Sequence, residues 1–137
     1  MKDYFNTILT GEQLQSMSVL GLAHIGDAVY ELLIRTWLCT QGRTTSKGLH
    51  YETVSYVRAP AQAKALARIM DKLTEEELAV FKRGRNAKVN SVPKNADISE
   101  YHSATGLETL FGYLYLKGER DRIDELFALI VEDNYAS

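Results

Sequence analysis

"GLAHIGDAVYELLIRTWL", residues 21–38, decides how this chain is read. Its apolar residues, Leu22, Ile25, Val29, Leu32, Leu33, Trp37 and Leu38, recur at helical spacing, with Leu20 just ahead of them. They cover more than one face. The pattern predicts a helix over about 18–40, capped by Ser18, ended by Gly42, and packed by neighbours on several sides. One acid, Asp27, stands in its middle, directly after Gly26. Burying an unpaired charge is costly, so this carboxylate requires a reason.

The segments on either side also read as helices. A short one is expected over 10–17 with Thr10 as cap, and another over 44–57 capped near Ser46. The stretch 60–73 follows, with Pro60 in its first turn, where a missing N–H does no harm. Over 74–84, Thr74 and Glu77 have the spacing of a capping box. Acids lie at the positive end of that helix dipole, and Lys82 and Arg83 at the other end. A loop over 85–99 leads to a second apolar helix, 100–118. An amphipathic helix, 119–134, turns Ile123, Leu126, Phe127 and Ile130 inward. No alternating strand pattern is present. The expected class is all-α, with residues 1–137 forming a single domain.

Composition narrows the function classes. Apolar residues make up 45% and charged residues 25%, and the formal charge is −2. Any nucleic-acid binding must therefore come from a local patch. Cys39 is the only cysteine, which excludes an internal disulfide framework and a cysteine-built metal site. No signal peptide is read in the first residues, and no run reaches the ~18 apolar residues of a membrane span. A cytoplasmic protein with no membrane partner is expected. His24, His50 and His102 are not at metal-ligand spacing.

A second acid matches Asp27. Glu108 lies within "ATGLETLFGYLYL", the other strongly apolar helix, with Gly112 one turn further on. Each glycine costs its helix about 1 kcal/mol relative to alanine, which suggests close approach of a backbone or a ligand. Neither acid has a lysine or arginine three or four residues away, so an intrahelical ion pair explains neither. Glu31 differs, because Arg35 stands at i+4. A mid-helix acid is commonly a solvated one. If the two helices pack together, however, two carboxylates meet in apolar surroundings. Protonation would relieve the repulsion, and so would a hard divalent cation such as Mg²⁺.

From Lys82 to Ala96 the chain has five basic residues and no acid. Lys82, Arg83, Arg85, Lys88 and Lys94 are interleaved with Asn86, Asn90, Ser91 and Asn95. Charges and small donors without aromatics suit the phosphate backbone of a duplex better than stacking on single strands. A solvated helix end reads the same way on its own. Together with a carboxylate pair, the stretch points to phosphodiester chemistry.

"LAHIGDAVYE", "KRGRNAK", "PKNAD" and "SATGLETLFGYLYL", in this order, resemble the catalytic domain of the ribonuclease III family, and its Mini-ribonuclease III subfamily in particular. The resemblance runs from about residue 15 to 130. It implies the helical endonuclease fold and a homodimer acting on double-stranded RNA. It also implies Mg²⁺-dependent hydrolysis to 5′-phosphate and 3′-hydroxyl ends. The subfamily lacks the appended double-stranded RNA-binding domain, and its substrate class is the large-subunit (23S) ribosomal RNA precursor, with a ribosomal protein cofactor left open. Asp27 falls on the signature aspartate and Glu108 on the second helix's glutamate. Both are expected to be catalytic and to hold the metal. Lys82, Arg83, Arg85, Asn86, Lys88 and Lys94 are expected to bind RNA. Ala23 and Thr105 stand where the classical members of the family have further carboxylates. Thr105 and Asp97 are secondary candidates for the site. The competing reading is a non-catalytic RNA-binding or ribosome-associated homologue. Two retained acids without cationic partners argue against it.

Overall fold

The computed structural model describes residues 2–42, 45–87, 94 and 97–132. Seven α-helices occur among them: α1 (Gly11–Ser16), α2 (Val19–Thr40), α3 (Ser46–Val57), α4 (Ala59–Ile69), α5 (Glu75–Arg85), α6 (Ile98–Lys117) and α7 (Arg120–Val131). A 3₁₀ turn, Met70–Lys72, joins α4 to α5, and no strand occurs among the described residues. The all-α expectation holds.

Local chemistry sets the boundaries. Thr10 and Thr74 each close a capping box, with Gln13 and Glu77 returning the bond. Ser18 caps α2 by accepting from the Gly21 N–H at 2.9 Å. The cap of α3 is Thr45, one residue earlier than expected, and it accepts from Gly48. Likewise α6 begins at Ile98 rather than 100, because the Asp97 carboxylate accepts the Glu100 N–H at 3.1 Å. Gly42 and Gly118, both at φ 85°, take the left-handed conformation that ends α2 and α6. The expected 60–73 helix is shorter, since its last turn tightens into the 3₁₀ segment before Thr74 starts a new cap.

The hub of the molecule is α6. Helices α1, α2, α4, α5 and α7 all pack on it, and ten of its residues are buried. The expectation that the 18–40 helix is packed by neighbours on several sides holds in part: α6, α3 and α5 pack on it, but one face stays open. Its buried residues Leu22, Gly26, Tyr30, Ile34 and Leu38 form a stripe at four-residue steps, with Ala23 beside it, which rests mainly on α6. Leu20, His24, Asp27, Ala28 and Leu32 are exposed. Asp27 is therefore at a rim and not in a core. Trp37 is committed within the chain, its ring edge-to-face with Tyr56 at 5.2 Å.

The crossing of α2 and α6 is very tight. A Cβ added to Gly26 would stand 1.6 Å from the Glu108 carbonyl oxygen, and one on Gly112 would stand 2.0 Å from the Leu22 carbonyl oxygen. Each backbone fills the space a side chain would need. The α5–α6 contact is similarly close, since a Cβ on Gly84 would meet Thr109 Oγ1 at 2.3 Å. Around the crossing, Tyr30 packs edge-to-face on Phe111 and on Phe127, inside a core shared by α2, α4, α5, α6 and α7. On α7, Ile123, Leu126, Phe127 and Ile130 face inward as expected. Arg122 ties α7 to α5, donating through Nε and Nη2 to both oxygens of buried Glu77 at 2.8 Å each.

Candidate active site

Two carboxylates meet where α2 crosses α6. Asp27 and Glu108 lie beside the glycine pair, close enough to share a proton. Asp27 is exposed and Glu108 half-buried. Burial is the main force raising the Glu108 carboxyl, to about 7, and the facing Asp27 charge adds to it. One contact works the other way. Gln62 on α4 donates from Nε2 to Glu108 Oε2 at 3.2 Å, which favours the ionised form. No salt bridge to Asp27 or Glu108 occurs among the described residues. Glu31, by contrast, pairs with Arg35 at 2.7 Å as its spacing predicted.

The donor set suits a hard cation. It offers two carboxylates at an open rim, one desolvated and both without a cationic partner among the described residues. Mg²⁺ is commonly held by one or two carboxylates, the rest of its shell being water and phosphate oxygen. No group of three or more histidine, cysteine or acidic side chains able to hold a metal forms among the described residues. His24 and His50 are exposed and stand apart from such a group. The two positions without family carboxylates add nothing: Ala23 is buried, and buried Thr105 donates its hydroxyl to the Tyr101 carbonyl at 3.1 Å. Asp97 is spent as the α6 cap. It lies eleven residues from Glu108, about 16 Å along the helix, and does not join the pair within the chain.

The basic stretch begins at the end of α5 that abuts α6. Lys82, Arg83 and Asn86 are exposed; Arg85 is half-buried, its guanidinium 5.6 Å from the centre of the Phe81 ring. Gly84, one residue after Arg83, is pressed against Gly106 and Thr109. The basic end of α5 is thereby fixed beside the helix that carries Glu108. Lys94 is exposed. Lys88, Asn90, Ser91 and Asn95 lie outside the described residues.

Sequence reasoning missed Gln62. It occupies the buried stripe of α4 with Ala65, Leu66 and Ile69. A polar residue at an apolar position is the signal that singled out Asp27, and it was equally legible here.

Residues 20–119 match the model of the ribonuclease III domain. The chain belongs to the ribonuclease III family. Members of this family are endoribonucleases, and this chain is one. It resembles the Mini-ribonuclease 3 of Clostridium tetani, at 45% identity over 96% of this chain and 88% of that protein. It is 49% identical to the Mini-ribonuclease 3 of a Thermoanaerobacter species, over 91% of this chain and 88% of that protein. A crystal structure of a Fusobacterium nucleatum protein superposes with a TM-score of 0.79 at 29% identity, covering 89% of this chain and 98% of that one. The ribonuclease III match spans both acids, their glycines and the basic end of α5. No helix among the described residues is long and apolar enough to cross a membrane.

Proposed function

We propose that this family member is a Mg²⁺-dependent endoribonuclease specific for double-stranded RNA, acting as a homodimer. Its substrate is the large-subunit (23S) ribosomal RNA precursor in the cytoplasm, cut to 5′-phosphate and 3′-hydroxyl ends. The observation that carries this reading is the Asp27–Glu108 pair at the glycine crossing: two acids with no cationic partner among the described residues, one of them desolvated. Asp27 and Glu108 would hold the cation. When bound, Mg²⁺ supplies Lewis-acid activation of water and neutralises charge on the scissile phosphate. The chain's residues do the rest. The rigid crossing fixes the carboxylates relative to one another, and Lys82, Arg83, Arg85, Asn86, Lys88 and Lys94 bind the phosphate backbone.

The dimer reading is supported by the uncovered face of α2. Leu20 and Leu32 are 48% and 54% exposed, and with His24 and Ala28 they make a stripe at four-residue steps beside Asp27. Closing two copies on this stripe would bury those side chains. It would also relate two carboxylate pairs by a twofold axis, as paired cuts on opposite strands require. Leu20→Lys is expected to give a monomer by light scattering at micromolar concentration, with weak duplex binding and no paired cuts. A Leu20→Lys protein that remains dimeric places the interface elsewhere.

The decisive assay is cleavage of long duplex RNA under Mg²⁺ titration, with both product ends sequenced. Cleavage that persists in excess chelator, or that is equal on single strands, overturns the reading. Precursor ribosomal RNA ends in cells lacking the protein test the substrate. The basic end has its own test. Replacing Lys82, Arg83 and Arg85 with alanine should weaken duplex binding and flatten the salt slope of log K by about one per lost contact, leaving the cut position unchanged.

A further inference from the structure

Gln62 makes two hydrogen bonds from a single nitrogen. Its Nε2 donates to Glu108 Oε2 at 3.2 Å and to the Val57 carbonyl at 2.9 Å. The second bond has a clear local cause. The chain turns at Arg58, which is extended (φ −64°, ψ 152°), and α4 starts immediately with Pro60 in its first turn. Val57 therefore ends α3 with a carbonyl that no continuing helix can satisfy, and the Gln62 amide takes it. That bond also sets the direction of the amide. With Nε2 facing Val57 and Glu108, both of its hydrogens are used. The flipped amide would set oxygen against two acceptor oxygens. The amide is thus locked as a donor toward the carboxylate.

The remaining atom completes the argument. Gln62 is 2% exposed, and its Oε1 is buried without a hydrogen-bond partner among the described residues. Satisfying Val57 alone needs only one of the amide's hydrogens, and a buried acceptor left unpaired is unfavourable. The arrangement is therefore poor as packing, but it suits holding one oxygen of Glu108 in place. Resting on the metal-site reading above, we propose that Gln62 is the positioning residue of the active site: it clamps one Glu108 carboxylate oxygen and aims the other toward Asp27, presetting the pair for a divalent cation. Gln62 reaches Glu108 from α4, a third helix beside the two that carry the acids.

The test uses Mn²⁺ as probe, read as free ion by electron paramagnetic resonance. Gln62→Met keeps the volume and removes the donor. Loss of a residue that orients a metal ligand typically costs 10–100-fold in metal affinity. The Mn²⁺ dissociation constant of Gln62→Met should rise by that factor in a protein that circular dichroism shows to be folded. Cleavage at limiting Mg²⁺ should fall in parallel and recover at high Mg²⁺, with KM for duplex RNA unchanged. If Gln62 only satisfies Val57, the melting temperature falls while the Mn²⁺ constant stays within twofold of the parent; that result overturns the proposal. Should Gln62→Met fail to fold, Gln62→Asn is read by the same titration. Its amide is too short to span both acceptors, and the same threshold decides. A parent protein that binds no Mn²⁺ overturns the metal reading of the pair itself, a different outcome from a parent that binds it and a Gln62 variant that binds it equally well.

Discussion

Gly26→Ala is expected to destabilise the fold by about 3 kcal/mol or more and to lower cleavage at least about a hundredfold. Helix propensity alone predicts the opposite sign, since alanine in a helix interior is better than glycine by about 1 kcal/mol. The added methyl would sit 1.6 Å from the Glu108 carbonyl oxygen, which belongs to backbone and cannot swing aside. The helices must separate, and the Tyr30–Phe111 contact and the carboxylate pair both straddle the crossing. Chemical denaturation gives the stability and a duplex-cleavage time course the activity. Gly112→Ala, with its methyl 2.0 Å from the Leu22 carbonyl oxygen, should behave alike. Gly11→Ala is the control, because nothing lies within 4 Å of its added Cβ. A Gly26→Ala protein at least as stable as the parent would contradict the tight crossing.

Asp27→Asn and Glu108→Gln should each lower cleavage by about a thousandfold or more, since under the proposed function either removes a carboxylate that would hold the metal. In the metal-free protein the same changes should stabilise. Burial holds the folded Glu108 carboxyl at about 7, above its ordinary value of 4.5. Between those values the folded state binds more protons than the unfolded state. Stability at this site is therefore full below about pH 4.5, falls as pH rises to about 7, and is level beyond. The full difference is worth at most about 3 kcal/mol, and nearer 1–2 kcal/mol for a group at a solvent-facing rim. Glu108→Gln should thus raise metal-free stability at pH 8 and abolish the decline between pH 4.5 and 7. Glu77 acts in another window. The Arg122 fork holds its carboxyl below the usual range, so its contribution is lost only as pH falls below about 4.5. Urea denaturation across pH separates the two. A Glu108→Gln protein that keeps the parent's decline, or that cleaves at the parent rate, refutes the assignment of Glu108.

Sequence and tertiary structure divide this molecule along a physical line. Interactions within a turn or two of helix were legible directly. Thr10, Ser18 and Thr74 cap where their spacing put them, Glu31 pairs with Arg35, and the inward stripe of α7 follows its period. The oddness of Asp27 and Glu108 was legible for the same reason: the local partners that would explain an acid in a helix are missing from the sequence itself. The close approach at Gly26 and Gly112 could be inferred from their helix cost, but not which backbone came near. Which faces are covered is a property of how helices cross, and no single period encodes it. An apolar α2 was therefore expected to be central. In fact α6 is the hub, and Asp27 looks outward beside the uncovered Leu20 and Leu32. Contacts far apart in the chain, Gln62 to Glu108 across 46 residues and Arg122 to Glu77 across 45, exist only because three-dimensional packing brings their helices together. The sequence by itself determined the helices, most of their caps and the two acids that lack local partners. The crossing at Gly26 and Gly112 alone decided that those acids meet, because a carboxylate pair is a relation between helices and not a feature of either one.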